Sequence, residues 1–106
     1  MTAPTTGVEV VDDPAHSTFV LLVDGEPQGH AYYRAVGRLV VFTHTEVDPA
    51  QRGRGVASQL ARGALDQVRA SGRRVVPVCP FIAGYVRQHP EYADLVSARS
   101  RSPRPR

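Results

Sequence analysis

The sequence predicts an α+β domain, sandwich-like in its layers. An antiparallel strand meander comes first, followed by strand, loop, helix, strand and helix. Three observations carry this. Residues 18–47 hold three runs rich in β-branched and aromatic residues, separated by the tight-turn pairs Asp24-Gly25 and Gly37-Arg38. Val56, Leu60, Ala64 and Val68, with Ala57, Ala61 and Leu65 beside them, form a stripe of helical period. A further apolar run, Arg74 to Cys79, follows that helix, and a strand–helix–strand crossover places it parallel to the third strand.

Taken in order, residues 1–7 are small and polar and are expected to be disordered. Val8, Val10 and Val11 suit a short edge strand. Thr18 to Val23 is a strand, Asp24 to Pro27 a turn, and Gln28 to Val36 the return strand. Pro27 has no N–H, so it is expected outside the paired ladder. Leu39 to Val47 is the third strand of the meander. Its near-continuous apolar start suggests a central strand covered on both faces. The helix runs from about Gly55 to Ser71, and Gly72 suits the position that ends it. In the fourth strand, Arg74 to Cys79, Pro77 removes a ladder bond and predicts local splaying. Phe81 to His89 reads as a short helix with Pro80 at its start. Glu91 to Val96 reads as a further helical turn, and residues 98–106 as a disordered Arg/Ser/Pro tail. Residues 8–97 therefore form a single domain.

Composition narrows the classes. A chain of 106 residues with 42% hydrophobic content suits one small core. No apolar run is long enough to span a bilayer, and residues 1–7 lack a signal-peptide pattern. A cytoplasmic protein that contacts no membrane is the expectation. Cys79 is the single cysteine, which leaves neither an intrachain disulfide nor a multi-cysteine metal site within the chain. No His spacing suggests a metal ligand set. The net charge is +3, but Arg99, Arg101, Arg104 and Arg106 supply four of the thirteen cations. The other nine face ten acids, so basicity belongs mainly to the tail and nucleic acid is not the expected partner.

The third strand ends in a polar turn and then an Arg- and Gly-rich loop that opens into the helix, Arg52-Gly53-Arg54-Gly55-Val56-Ala57. Unpartnered N–H groups at a helix start, approached through glycines, make an anion site. The chain has no lysine, which excludes a Walker loop. A dinucleotide fingerprint fits poorly, because Gln59 stands near the place of its third glycine and a meander precedes it. The pattern R-x-x-G-x-A remains, beside the plain reading of a glycine turn with solvated arginines.

Two stretches carry a family resemblance. Thr45 to Ala57 reads T-E-V-x-P-x-x-R-G-x-G-V-A, and Val75 to Val96 reads V-V-P-V-C-P-F-I-A-G-Y-V-R-Q-H-P-E-Y-A-D-L-V. Together they resemble the GNAT (Gcn5-related N-acetyltransferase) superfamily, and a small, minimal subgroup of it with the V-C-P-F…H-P-E-Y motif. The resemblance runs from about Thr18 to Val96. It implies a GNAT fold whose third and fourth strands splay apart, with acetyl-CoA as co-substrate and no metal. It also implies an N-acetyltransferase moving the acetyl group directly to an amine. The backbone of Arg52, Gly53, Arg54, Gly55, Val56, Ala57 and Ser58 would hold the pyrophosphate. Glu46, Val47 and Asp48 match the segment that pairs with the pantetheine arm.

Attack of an amine on a thioester needs a base, donors for the oxyanion and an acid for the thiolate. The resemblance makes Tyr85 the acid candidate, with Tyr92 behind it. The other reading of Tyr85 is a core tyrosine with its hydroxyl at the rim. His44 and Glu46, two apart on one side of the strand, are base candidates or a rim-exposed polar pair. Cys79 is a nucleophile that takes the acetyl group first, or a small buried hydrophobe. A backbone N–H near Val78 or Cys79 is the oxyanion candidate. His30 and His89 read as structural or exposed.

One departure matters. GNAT domains usually place helices between the first two strands, and here a tight turn stands instead. The acceptor side is expected to be open, which points to a large acceptor such as a protein amine, or to a second chain. Monomer and homodimer both stay open. The competing class is a non-catalytic acyl-CoA-binding or sensing module on the same fold.

Overall fold

A computed structural model describes residues 7–51, 53 and 55–96. The chain forms β1 (Val8–Asp13), β2 (Thr18–Val23), β3 (Glu26–Val36), β4 (Leu39–Val47), α1 (Val56–Ala70), β5 (Arg74–Pro77) and α2 (Pro80–Gln88). Short 3-10 turns stand at Pro14–His16, Pro49–Gln51 and Pro90–Leu95. The five strands lie in sequence order in one sheet. The first four pair antiparallel, and β5 runs parallel to β4 after the α1 crossover.

The hairpin between β2 and β3 is closed by Asp24 and Gly25, both at positive φ (51° and 86°), as a two-residue turn requires. Gly7 is tied to it: its N–H donates to the Asp24 carboxylate (2.7 Å) and its carbonyl accepts from the Asp24 N–H (2.8 Å). Of the expected tails, 1–7 and 98–106, all but Gly7 lie outside the described residues, as does residue 97.

Two expectations about the sheet change. Pro27 lies inside β3, opposite Leu22. The register jumps from Leu21–Gly29 to Leu22–Pro27, so Gln28 is an extra residue at a bulge, and bulges tolerate proline. Pairing of β3 with β4 begins only at Gly29, so Pro27 has a strand on one side alone. Second, β4 is central but covered on one face. Val40 and Phe42 are fully buried, whereas Leu39 and Val41 on the other face are half-buried. Val20, Leu22, His30 and Tyr32 share that half-open state. One core serves the domain, with Phe19, Leu21, Phe42, Leu60, Leu65, Val75 and Ile82 at its centre.

α1 lies on the inner face and grips the edge strand. A Cβ on Gly63 would stand 2.6 Å from Val10 Cβ, so only glycine permits this approach. The Gln67 side-chain amide donates to the Val10 carbonyl at 2.7 Å. The C-terminal turn is fixed by arginines. Arg69 donates through Nη1 and Nη2 to both oxygens of Asp94 (3.0 and 3.1 Å) and through Nη2 to the Glu91 carbonyl, and Arg74 donates to the Asp94 carbonyl. Arg69 holds the Asp94 carboxyl below the usual carboxylate range. Val96 ends the turn with a single parallel bridge to Val75.

Candidate active site

The parallel ladder between β4 and β5 starts at Leu39–Arg74 and stops at Phe42–Pro77. The strand expected over Arg74 to Cys79 is thus cut short at the proline, which has no N–H to continue the ladder. β4 runs on to Val47 with a strand partner on the β3 side only. A wedge opens between the two strands. Its apex is tied by the Cys79 N–H, which donates to the Phe42 carbonyl at 2.8 Å. Just beyond, Thr45 Oγ1 and Cys79 Sγ meet at 3.3 Å across the opening. Cys79 is buried, and Val78 beside it is 60% exposed.

β4 leads straight into the glycine loop. The Asp48 N–H donates to the Gln28 carbonyl (2.7 Å), and the Asp48 carboxylate accepts the Ala50 N–H (2.8 Å). Gly53 and Gly55 adopt φ of 78° and 74°, the left-handed region that favours glycine. Gly55 caps α1 with no side-chain hydrogen bond, and the first helical bond is Gln59 N–H to the Gly55 carbonyl. The N–H groups of Val56, Ala57 and Ser58 precede that bond and have no helical acceptor among the described residues. An anion suits such a helix start: an added Cβ at Gly53 or Gly55 would meet nothing within 4 Å among the described residues, and no acidic side chain stands in the first turn to compete. Arg52 and Arg54 lie outside the described residues. Gln51 Oε1, at the loop entrance, is a buried acceptor with no hydrogen-bond partner among the described residues.

α2 starts where the wedge opens, with Cys79 as its cap residue and Pro80 in its first turn. Tyr85 is buried and stacks on His89 (3.9 Å between centroids, 17° between planes). His89 Nδ1 lies 2.9 Å from the Tyr85 carbonyl, so that imidazole fixes the ring. Burial pushes the Tyr85 phenol up from its ordinary value. A cavity of about 200 Å³ separates α2 from the first turn of α1, lined by Ser58, Pro80, Phe81, Gly84, Tyr85 and Gln88. Tyr92 is spoken for: its hydroxyl donates to Asp66 Oδ1 at 2.6 Å, and Arg69 lies over its ring.

Comparison with known proteins meets this geometry. The family model described as GCN5-related N-acetyl-transferase matches residues 18–95. The chain belongs to the GCN5-related N-acetyltransferase family. It is 35% identical to Protein NATD1 of Gallus gallus over 85 residues, 78% of this chain and 77% of that one. It is 36% identical to Protein NATD1 of Bos taurus over 85 residues, 78% and 75% of the two chains. With Protein NATD1 of Danio rerio it shares 30% identity over 95 residues, 86% of each chain. The mixed sheet with flanking helices is consistent with the fold of this N-acetyltransferase family. None of the helices among the described residues is long and apolar enough to cross a membrane.

Within this N-acetyltransferase domain the candidate residues fall into two groups. Thr45 and Cys79 meet at the inner side of the wedge, where Tyr85 also packs into the core. His44 and Glu46 flank Thr45 in β4 and so point to the opposite, open face. Their side chains are mostly exposed, with Nε2 and Oε2 3.9 Å apart. On that face His30, Tyr32 and His44 stack in a row at 5.5 and 6.2 Å. A cavity of about 290 Å³, lined by residues that include His30, Glu46, Val47 and Asp48, opens beside the row.

One expectation is corrected. The N–H groups of Val78 and Cys79 are both engaged, by the Val76 carbonyl (3.1 Å) and the Phe42 carbonyl (2.8 Å). Neither is free for an oxyanion. Pro80 has no N–H, and the first tie within reach of α2 is Ala83 N–H to the Cys79 carbonyl. That leaves the Phe81 and Ile82 N–H groups at the helix start without a backbone acceptor. Thr45 was missed by sequence reasoning. Its place in the T-E-V stretch was visible, but its contact lies 34 residues away and depends on where the ladder stops.

Proposed function

We propose that the chain is an acetyl-CoA-dependent N-acyltransferase that moves an acetyl group from coenzyme A to an amine by direct transfer. One observation carries the reading. β4 loses its β5 partner after Phe42, keeps an unpaired edge to Val47, and runs directly into a loop of left-handed glycines at a helix start. An amide-bearing arm can add to that edge as a strand would, and a pyrophosphate suits the N–H groups of residues 53–58. Arg52 and Arg54 would add charge to it.

In the reaction the amine lone pair attacks the thioester carbonyl carbon. The C–S bond breaks, its electron pair leaves on sulfur, and one proton passes from nitrogen to the thiolate in net. Glu46 or His44 would take the proton from the amine on the open face. The Phe81 and Ile82 N–H groups would serve the oxyanion. Tyr85 would act on the thiolate, and its chemistry sets a limit. Burial raises the Tyr85 phenol above its ordinary value, and a phenol is already a weaker acid than a thiol, so full proton transfer from it to the thiolate is uphill. Tyr85 is therefore read as a hydrogen-bond donor to the leaving sulfur, which takes its proton finally from water.

The acceptor is read as large, such as a protein amine, because no helix among the described residues covers the β4 face that carries the exposed His44 and Glu46. Calorimetry with acetyl-CoA, CoA and NADH, followed by CoA release with amine acceptors, tests the reading. Tight acetyl-CoA binding, no NADH binding and acceptor-dependent CoA release are expected. Binding without turnover, unaffected by Tyr85→Phe, would establish a sensing module instead. Transfer through acetyl-Cys79 is a second route, favoured only by the place of its sulfur in the wedge. It requires an acetyl adduct on Cys79 in an intact-mass spectrum and loss of turnover in Cys79→Ala.

A further inference from the structure

We infer that Gly84 is a specificity-determining residue of the donor site: its missing side chain keeps open the passage between α1 and α2 that the pantetheine arm of coenzyme A fills. The inference rests on the acyl-CoA reading above and adds to it a residue on α2. It comes from asking why each glycine is there. Six of the nine glycines have positive φ, so the backbone demands them. Gly29 and Gly63 are crowded, with an added Cβ 3.2 Å from the Glu46 carbonyl oxygen and 2.6 Å from Val10 Cβ. Gly84 has neither reason. An added Cβ would meet only Arg87 Nη2, at 3.6 Å, and its φ is not in the left-handed region.

The position also opposes local preference. Gly84 stands in the middle of α2, where glycine is the poorest helix former after proline. Nothing in the fold compensates for that choice, whereas the cavity beside it does give a reason. Gly84 lines the space of about 200 Å³ that separates α2 from Ser58 in the first turn of α1. The space reaches from Ser58, in the first turn of α1 after Gly55, to Tyr85 on α2. Among the described residues no charged side chain lines it. Pro80 and the 37% exposed Phe81 give it an apolar wall, and Ser58 and Gln88 offer hydrogen-bonding groups. A neutral chain, part apolar and bearing amides, matches those walls. Pantetheine is such a chain, and it is the part of coenzyme A that lies between pyrophosphate and thioester.

Two variants test this because they move stability and binding in opposite directions. Gly84→Ala is expected to raise the melting temperature, since alanine is the better helix former. It should also weaken acetyl-CoA binding about fivefold. Gly84→Leu should fold equally well and weaken acetyl-CoA and CoA about fiftyfold, within the range for a filled apolar pocket. Binding of 3′-phosphoadenosine 5′-diphosphate, which keeps the pyrophosphate and lacks the arm, should stay within twofold of wild type in both. If wild type binds acetyl-CoA and both variants bind it equally well, the role of Gly84 is overturned and the acyl-CoA reading stands. Equal losses for both ligands would also overturn it, by moving the effect to the phosphate loop. A wild-type chain that binds neither ligand would overturn the acyl-CoA reading and this inference with it.

Discussion

The two ends of the β4–β5 pair are built on different terms. At the closed end, Leu39 to Phe42 are bonded to strands on both sides. Phe42 and Val75 are fully buried there, and Arg69 and Arg74 hold the C-terminal turn against the outer edge. At the open end the same β4 carries backbone groups on one flank with no strand to meet them, a contact of two small side chains, and a loop held in left-handed turns. The closed end is complete as protein. The open end is complete only with something added, since unpaired backbone groups and helix starts cost free energy unless they are solvated or bound. Stability and function therefore separate along a single pair of strands, and substitutions at the two ends should read out differently.

The largest effect belongs to the closed end. Phe42→Ala should cost about 3–5 kcal/mol in denaturant unfolding, because a fully buried ring is lost beside Phe19 and Tyr33. At the open end, Gly55→Ala should cost about 1–2 kcal/mol for the left-handed backbone. Its larger consequence should be at least a tenfold loss of acetyl-CoA affinity in calorimetry, since the loop N–H groups would shift. Unchanged affinity in Gly55→Ala would break the contrast.

The two tyrosines near α2 sharpen it further. Tyr92→Phe removes a hydrogen bond to Asp66 and should cost about 1 kcal/mol with no change in acetyl-CoA affinity. The Tyr85 hydroxyl has no hydrogen-bond partner among the described residues, so Tyr85→Phe should leave stability nearly unchanged, while turnover falls about a hundredfold if that hydroxyl serves the leaving sulfur. A thermal melt and a CoA-release assay on both variants check the pair.

How much of this was legible in the sequence follows the same division. The meander, the Asp24-Gly25 turn, the α1 stripe and the parallel return of β5 rest on local patterns, and local patterns survive folding. Pro77 marked the splay correctly, because a missing N–H acts wherever the strand lies. Pro27 misled for the same reason reversed: its missing N–H is harmless at a bulge, and a bulge is a property of two strands. The apolar start of β4 suggested cover on both faces, yet no sequence signal says on which side a helix lands. The N–H groups of Val78 and Cys79 looked available because their acceptors, Val76 and Phe42, are set by where the ladder ends. Thr45 and Gly84 gain their meaning only from neighbours far along the chain.

The smallest effect lies in alkaline stability, and it too belongs to the closed end. Tyr33 pairs with Phe42 across β3 and β4 and donates its hydroxyl to Asp12 at 2.7 Å. Burial first, and then the Asp12 carboxylate, pushes its phenol from the ordinary value of 10 up to about 12. A raised pKa means that the folded state favours the neutral form. The contribution is therefore whole below about pH 10, where both states keep the proton. It is lost as pH rises towards 12, because the unfolded chain ionises first. Melting temperatures at pH 9 and pH 11 should fall by less in Tyr33→Phe than in wild type. Some fall should persist, since burial and Asp66 raise Tyr92 in the same direction. Saturating acetyl-CoA should raise the melting temperature at both pH values without erasing the difference that Tyr33→Phe makes. A ligand that abolished that difference would mean the two ends are coupled through Phe42, and the division drawn between them would have to be given up.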